Sequence, residues 1–392
     1  MGHAVILGTA RSPIGSLNGS LADVPVPELA GQVIRAACDR SRVPPDQLDD
    51  VILGNVVSAG LGQNPARQAA LTAGIPPSVG ALTINKVCGS GLKAVILAAQ
   101  AIRLDEARCV LAGGFESMSR APYLLLQARQ GYRFGHRELL DAVLYDGLTD
   151  AYEQQPMGHY GERCAERFGI GRKEQDDYAV RSYRRALEAQ THGWFENEIV
   201  PIRITTRKET KTIDQDEEPQ RFNEEKLRAL PPVFAAEGTI TAGNASKLND
   251  GAAAVLVADQ QWATAHGLKP QARIVGAAGY AQEPEWFTTA PIGAVRRLLE
   301  RVGWTIDDVD LFEINEAFSV VAIVAQRELK LPDEKLNVWG GAVALGHPIG
   351  CSGARILVTL LSAMRQKGAR RGVAALCLGG GEAVALAVER YE

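Results

Sequence analysis

The sequence predicts an α/β fold assembled from two similar halves. Apolar runs with strand character alternate with longer segments of helical spacing, the pattern of a mainly parallel sheet covered on both faces. At 392 residues the chain also exceeds the roughly 250–300 residues at which a single core stops growing. One arrangement, moreover, occurs twice. Gly89-Ser90-Gly91, an apolar helix, a charged turn, the strand Arg108 to Leu111 and Gly113-Gly114-Phe115-Glu116 form the first copy. Ser352-Gly353-Ala354, an apolar helix, the basic turn Arg365 to Arg371, the strand Val373 to Leu376 and Gly379-Gly380-Gly381-Glu382 form the second. A duplicated fold places its site where the halves meet, because both can contribute residues there.

The elements follow in order. Val5 to Leu7 reads as a first strand, Glu28 to Arg40 as a helix and Val51 to Val57 as a strand. Asn64 to Ala73 is a helix with Pro65 in its first turn. Gly91 to Ile102 has the near-continuous apolar character of a buried helix, and Cys109 to Ala112 is a strand closing on Gly113-Gly114. From about residue 119 to 245 charged and aromatic residues rise, and Lys173 to Trp194 has the spacing of an exposed amphipathic helix. This stretch reads as an inserted loop domain. Ala252 to Ala258 then returns as a strand. Beyond residue 268 the alternation resumes: strand Arg273 to Ala278, helix Ile292 to Val302, strand Val309 to Glu313, helix Glu316 to Leu329, helix Ala354 to Met364 and strand Val373 to Leu378. The expected division is therefore 1–267, carrying the insertion, and 268–392.

Composition narrows the function. Hydrophobic residues make up 46% and charged residues 22%, with a net charge of −4, so no nucleic-acid surface is expected. No run of about 18 apolar residues offers a membrane span. The start lacks a basic segment followed by a long apolar one, so it reads as a strand rather than a targeting signal. The six cysteines form no C-x-x-C pair, which argues against a zinc site and for a reduced, cytoplasmic enzyme.

Two of those cysteines have settings suited to chemistry. Cys88 precedes a helix opened by Gly89-Ser90-Gly91, where the helix dipole would lower its pKa and a backbone N–H could face an incoming carbonyl. Cys377 ends an apolar strand just before three glycines, which have no evident structural need. Between them in sequence, His347 sits in a glycine-rich loop from Gly340 to Gly353, a plausible base for a thiol. Asn315 follows a strand and would cap the next helix or hold a water or substrate oxygen. Bland readings stand beside each: a buried structural cysteine, a loop histidine, a simple cap. Gly89 to Ala94 also matches the G-x-G-x-x-G/A form of a dinucleotide turn, a weak signal when alone.

The stretches NKVCGSGLKA, TAGNASKLNDGAAA, NEAF, GGAVALGHPIGCSGARIL and CLGGGEAVA, read in this order, resemble the motifs of the thiolase family nearly end to end. The acetyl-CoA acetyltransferase branch is the most similar, with 3-ketoacyl-CoA thiolases next. The resemblance implies a layered αβαβα core and a reversible condensation of two acetyl-CoA to acetoacetyl-CoA. Cys88 would be acylated, His347 would take its proton, and Cys377 would act as the acid and base on the second substrate. Asn315 would hold a water in one oxyanion hole, and the N–H groups of Cys88 and Gly379 would form the other. Ser246, with Ala242 beside it, would lie near the pantetheine of coenzyme A, and Met157, Phe234, Ala317 and Phe318 would line its tunnel. No metal or redox cofactor is implied. The partners would be acetyl-CoA and 3-ketoacyl-CoA in fatty acid metabolism, and the chain would form a dimer or homotetramer. The sequence departs from the family at Pro156-Met157-Gly158, where His-Met-Gly is common, and at Trp339. A β-ketoacyl synthase shares the fold but would carry a second histidine in place of Cys377. A non-catalytic acyl-CoA-binding relative would not need all three of Cys88, His347 and Cys377.

Overall fold

The computed structural model describes residues 2–205 and 209–391. The first half runs β1 (Ala4–Arg11), α1 (Val26–Ser41), β2 (Asp50–Gly54), α2 (Pro65–Thr72), β3 (Gly80–Ile84), α3 (Ser90–Arg103) and β4 (Cys109–Ser117). The inserted segment follows, with α4 (Met157–Phe168) and α5 (Arg172–Thr191), and β5 (Asn249–Asp259) returns to the sheet. The second half is β6 (Ala272–Ala281), α6 (Ala290–Val302), β7 (Leu311–Ile314), α7 (Ser319–Leu329), α8 (Ile349–Lys367), β8 (Arg371–Leu378) and β9 (Glu382–Arg390).

The strands are ordered β7-β8-β9-β6-β1-β5-β4-β2-β3, with the short strand Gly15–Ser16 added on β5. The expectation of a mainly parallel sheet is corrected here. Only β2–β3, β2–β4 and β7–β8 run parallel; the five other pairings along this path are antiparallel. The second half ends on a strand that comes back without a covering helix. β8 turns directly into β9, and a hairpin can only pair antiparallel. The seam between the halves is thin, since β1 and β6 pair only through Val5–Arg273 and Ile6–Ala272.

Strand alternation sorts side chains into three cores. Ala253, Val255 and Val257 of β5 face a central core with α3 and α8, while Ala252, Ala254 and Leu256 face an outer core with α1 and α2. On the other side, Ala374, Leu376 and Leu378 of β8 face the centre, and Val373, Ala375 and Cys377 face α6 and α7. The result is a helix–sheet–helix–sheet–helix stack. In the central layer, α3 and α8 meet backbone to backbone. A Cβ on Gly91 would lie 2.7 Å from the amide nitrogen of Ala354, and one on Gly353 would strike the backbone nitrogen of Leu92. These glycines occupy matching positions in the two copies, and their bare backbones permit the approach.

Several element boundaries differ from the sequence reading for identifiable reasons. β4 continues through Gly113-Gly114 to Ser117, because a Cβ on Gly114 would collide with the carbonyl oxygen of Gly350 and only glycine lets the strand pass. α7 begins at Ser319 with Phe318 before it, so Asn315 is not a helix cap. α5 is less exposed than its charge suggests. It buries Tyr178 and Ser182, which donate to Glu316 at 2.8 and 2.7 Å. Asn337 and the backbone N–H of Val343 donate to the same carboxylate at 3.0 and 3.1 Å, so one buried Glu ties the insertion to the second half. Among the described residues no helix is long and apolar enough to cross a membrane.

Candidate active site

Cys88 sits on a tight turn between β3 and α3. The Asn85 side chain accepts from the Val87 N–H at 2.9 Å. The Ser90 hydroxyl accepts from the Lys86 N–H at 2.8 Å and donates to the Val87 carbonyl at 2.7 Å. These bonds hold Val87 at φ +46°, a left-handed conformation that costs a β-branched residue about 1–3 kcal/mol. The strained turn leaves Cys88 partly exposed at the foot of α3. Lys86 forms an ion pair with Glu382, which tethers this turn to the β8–β9 hairpin.

The expected lowering of the Cys88 pKa is corrected. Burial of the sulfur pushes its pKa up to about 12, although the N–H groups of Cys88 itself and of Gly379 face it and pull downward. The thiol is therefore protonated at neutral pH and needs a base. Those two N–H groups are also the donors an oxyanion on the Cys88 thioester would meet.

Cys377 is the penultimate residue of β8, fully buried, and burial with the neighbouring Cys88 sulfur raises its pKa well above the ordinary thiol value. Cys88 thus lies near enough to disfavour a charge on Cys377. The three glycines after Leu378 are the hairpin turn between Leu378 and Glu382. Gly380 and Gly381 lie at φ +84° and +82°, so two of the three do have a structural need, contrary to the sequence reading. Gly379 does not. It packs beside Val87 and Met157 and turns its N–H to Cys88.

His347 lies in the loop before α8, buried to 5% exposure. Its backbone N–H donates to the Asn249 side chain at 2.8 Å, while Asn249 donates to the Gly15 carbonyl at 2.9 Å. Glu116 clamps the same loop by accepting from the Gly350 N–H at 2.9 Å and from those of Val56 and Val57 at 3.1 Å. Burial, with a smaller contribution from the Arg355 charge, lowers the His347 pKa to about 3, so the ring is neutral. Its Nδ1 is 2.6 Å from the Ser352 hydroxyl, and its Nε2 is buried without a protein partner.

Asn315 follows Ile314 of β7, and its N–H donates to the Ala375 carbonyl at 3.0 Å, one alternation from Cys377. Both polar atoms of its side chain are buried and unpartnered, which a water or substrate oxygen would satisfy. Met157, Phe234, Ala317 and Phe318 share the apolar cluster that contains Cys377. The rings of Phe234 and Phe318 meet edge to face at 6.0 Å. Ser246 is joined to them by its N–H, which donates to the Ala317 carbonyl at 3.0 Å, and Ala242 is exposed in the same turn. The dinucleotide reading has no room, because the Gly350 and Cys351 carbonyls lie against Gly91 at the start of α3. Sequence reasoning did not single out Asn249, Glu116, Glu316 or Ser352. Three of these four stand inside the quoted motifs, but no spacing tells which loop a buried polar side chain will hold.

Two neighbouring thiols, one of them faced by backbone N–H groups, together with a neutral imidazole buried in the loop before α8, are the groups that a class of acyl-transfer enzyme uses. The sequence matches "Thiolase, N-terminal domain" over residues 4–261 and "Thiolase, C-terminal domain" over residues 268–390. The chain belongs to the thiolase family. The acetyl-CoA acetyltransferase of Chromobacterium violaceum is 50% identical over 390 residues, covering 99% of this chain and 100% of that one. The one from Schizosaccharomyces pombe is 48% identical, covering 98% of each. The crystal structure of the Bacillus anthracis acetyl-CoA acetyltransferase superposes with a TM-score of 0.98 at 43% identity, covering 100% of this chain and 99% of that one. Acat5 thiolase from Ascaris suum, in complex with coenzyme A, gives 0.95 at 43% identity over 99% of this chain and 100% of its own.

Proposed function

We propose that this chain catalyses the reversible condensation of two acetyl-CoA into acetoacetyl-CoA and CoA through an acyl-Cys88 intermediate. The observation that carries the reading is the Cys88 thiol, protonated by its burial yet faced by the N–H groups of Cys88 and Gly379, and close enough to Cys377 to raise the pKa of that second thiol. His347 Nε2 takes and keeps the Cys88 proton as the sulfur attacks the acetyl-CoA carbonyl, while CoA departs as a thiolate that takes the Cys377 proton and leaves Cys377 as a thiolate. Cys377 then removes a proton from the methyl of the second acetyl-CoA. The enolate oxygen is held by the protonated imidazole and the water on Asn315. The carbanion attacks the Cys88 thioester, whose oxyanion rests on the two N–H groups, and the Cys88 thiolate leaves and takes back the proton held by His347. Thiols, imidazole and backbone donors supply every step, so the chemistry calls for no metal or redox cofactor. Ser246, Ala242, Met157, Phe234, Ala317 and Phe318 would receive the pantetheine arm.

The test is incubation with acetyl-CoA alone, followed by digestion and mass measurement of the peptide containing Cys88. An acetyl adduct on Cys88 is expected, lost in Cys88→Ala. Retention of acetoacetyl-CoA cleavage by Cys88→Ala would sink the reading. A thiolysis series with 3-ketoacyl-CoA of rising chain length separates the short-chain reading from the longer-chain one, in which this enzyme degrades fatty acyl chains in the cytoplasm. Pro156, in place of the polar residue common in the family, is the feature that favours testing longer chains. The homotetramer is also proposed, supported by Leu126 at 59% and Phe134 at 92% exposure in the inserted segment.

A further inference from the structure

We propose that Ser352 is a positioning residue that fixes the tautomer of His347, so that Nε2 carries the lone pair. The inference rests on the reading of His347 as the base for Cys88. It follows from counting hydrogens. The Ser352 hydroxyl has one proton, and the Pro348 carbonyl oxygen, 2.9 Å away, accepts it. The Ser352 Oγ lies 2.6 Å from His347 Nδ1 and, with its own proton given to Pro348, accepts there, which puts the ring proton on Nδ1. The Nε2 lone pair is then left buried and unpartnered, as a base awaiting a proton requires. With the opposite tautomer Nε2 would carry a buried N–H without an acceptor, and Ser352 would have to give up the Pro348 carbonyl.

The arrangement also serves the other half of the cycle. When Nε2 gains a proton, Nδ1 remains a donor and Ser352 remains its acceptor, so no hydrogen bond has to be rebuilt. Ser352 is fully buried in the first turn of α8, and the Pro348 carbonyl it donates to also accepts from the N–H groups of Cys351 and Ser352 at 2.9 Å. The hydroxyl is thus anchored to the helix, while the Asn249 side chain anchors the His347 backbone from β5. The groups around the ring are otherwise few. The Arg355 charge disfavours the imidazolium, and a neutral hydroxyl on Nδ1, unlike a carboxylate, does not counter it. Loss of the hydroxyl would leave both tautomers competing in a buried pocket and the ring free to turn.

The experiment compares wild-type protein with Ser352→Ala, Ser352→Thr and His347→Ala. The readouts are single-turnover acetylation of Cys88 by acetyl-CoA and nitrogen NMR of protein labelled at histidine nitrogens, with His347→Ala giving the assignment. The wild-type spectrum is expected to show a protonated Nδ1 and an unprotonated Nε2. Ser352→Ala is expected to slow acetylation roughly ten- to a hundredfold, with KM for acetyl-CoA little changed and a mixed-tautomer signal. Ser352→Thr, which keeps the hydroxyl, restores the rate and the single tautomer. A Ser352→Ala enzyme with wild-type rate and tautomer overturns the proposal. Should His347→Ala acetylate Cys88 normally, the base assignment itself fails, whatever Ser352 does.

Discussion

At the residue scale, burial rather than the helix dipole sets the chemistry of the thiols. Cys88 and Cys377 are both held protonated, so activity depends on groups that move their protons. Cys88→Ala is expected to reduce condensation about 10³-fold or more, as removal of a covalent nucleophile does. Cys377→Ala is expected to acetylate Cys88 at near wild-type rate yet fail to condense, which a burst of one CoA per subunit without acetoacetyl-CoA would show. His347 makes a pH prediction. Its native pKa lies near 3 and its unfolded pKa near 6.5, so the unfolded chain binds the extra proton first as pH falls. The stability it contributes is present above about 6.5 and is lost as pH falls toward 3, with a slope approaching about 1.4 kcal/mol per pH unit. His347→Gln removes this loss. Urea melts at neutral and at acid pH should therefore show the variant gaining on wild type in acid.

At the element scale, the site depends on how closely the two central helices approach. Cys88 stands before α3 and His347 before α8, and both helices are fixed by glycine contacts at their first turns. Gly353→Ala would push α8 from the Leu92 backbone. A loss of about 1–3 kcal/mol is expected, with slower Cys88 acetylation, because the nucleophile and the base separate together. Most helices and strands were legible in the sequence from their apolar spacing, although α4 and β9 were not. The length of β4 and the antiparallel return strands were not. Gly113-Gly114 looks like a strand end until α8 is seen lying across it, and strand direction follows from connections that spacing does not encode. The three-glycine turn misled for a related reason, since two of its members serve the hairpin and the third turns its N–H to Cys88.

At the scale of the whole molecule, the insertion is more than a cover. Glu316 receives hydrogen bonds from α5, from Asn337 and from the loop leading to His347. Glu316→Ala would leave several buried donors unmatched, and a loss of about 3 kcal/mol or more is expected in thermal or denaturant melts. The exposed apolar residues of the same insertion fit an assembly contact. For the proposed homotetramer, Phe134→Asp is expected to lower the mass measured by light scattering to that of a dimer while leaving Cys88 acetylation intact.

The sequence by itself determined the family and the α/β class, and it singled out Cys88, His347, Cys377 and Asn315 as candidates. Each lies in a local motif whose residue types report their chemistry. Only the tertiary structure decided the protonation of the thiols, the different settings of the three glycines, the freedom of the Asn315 side chain and the contact of Ser352 with His347. These depend on burial and on partners brought from distant segments, such as Asn249 beside His347 and Gly379 beside Cys88. Desolvation and hydrogen-bond pairing are properties of the packed interior, and no local spacing carries them.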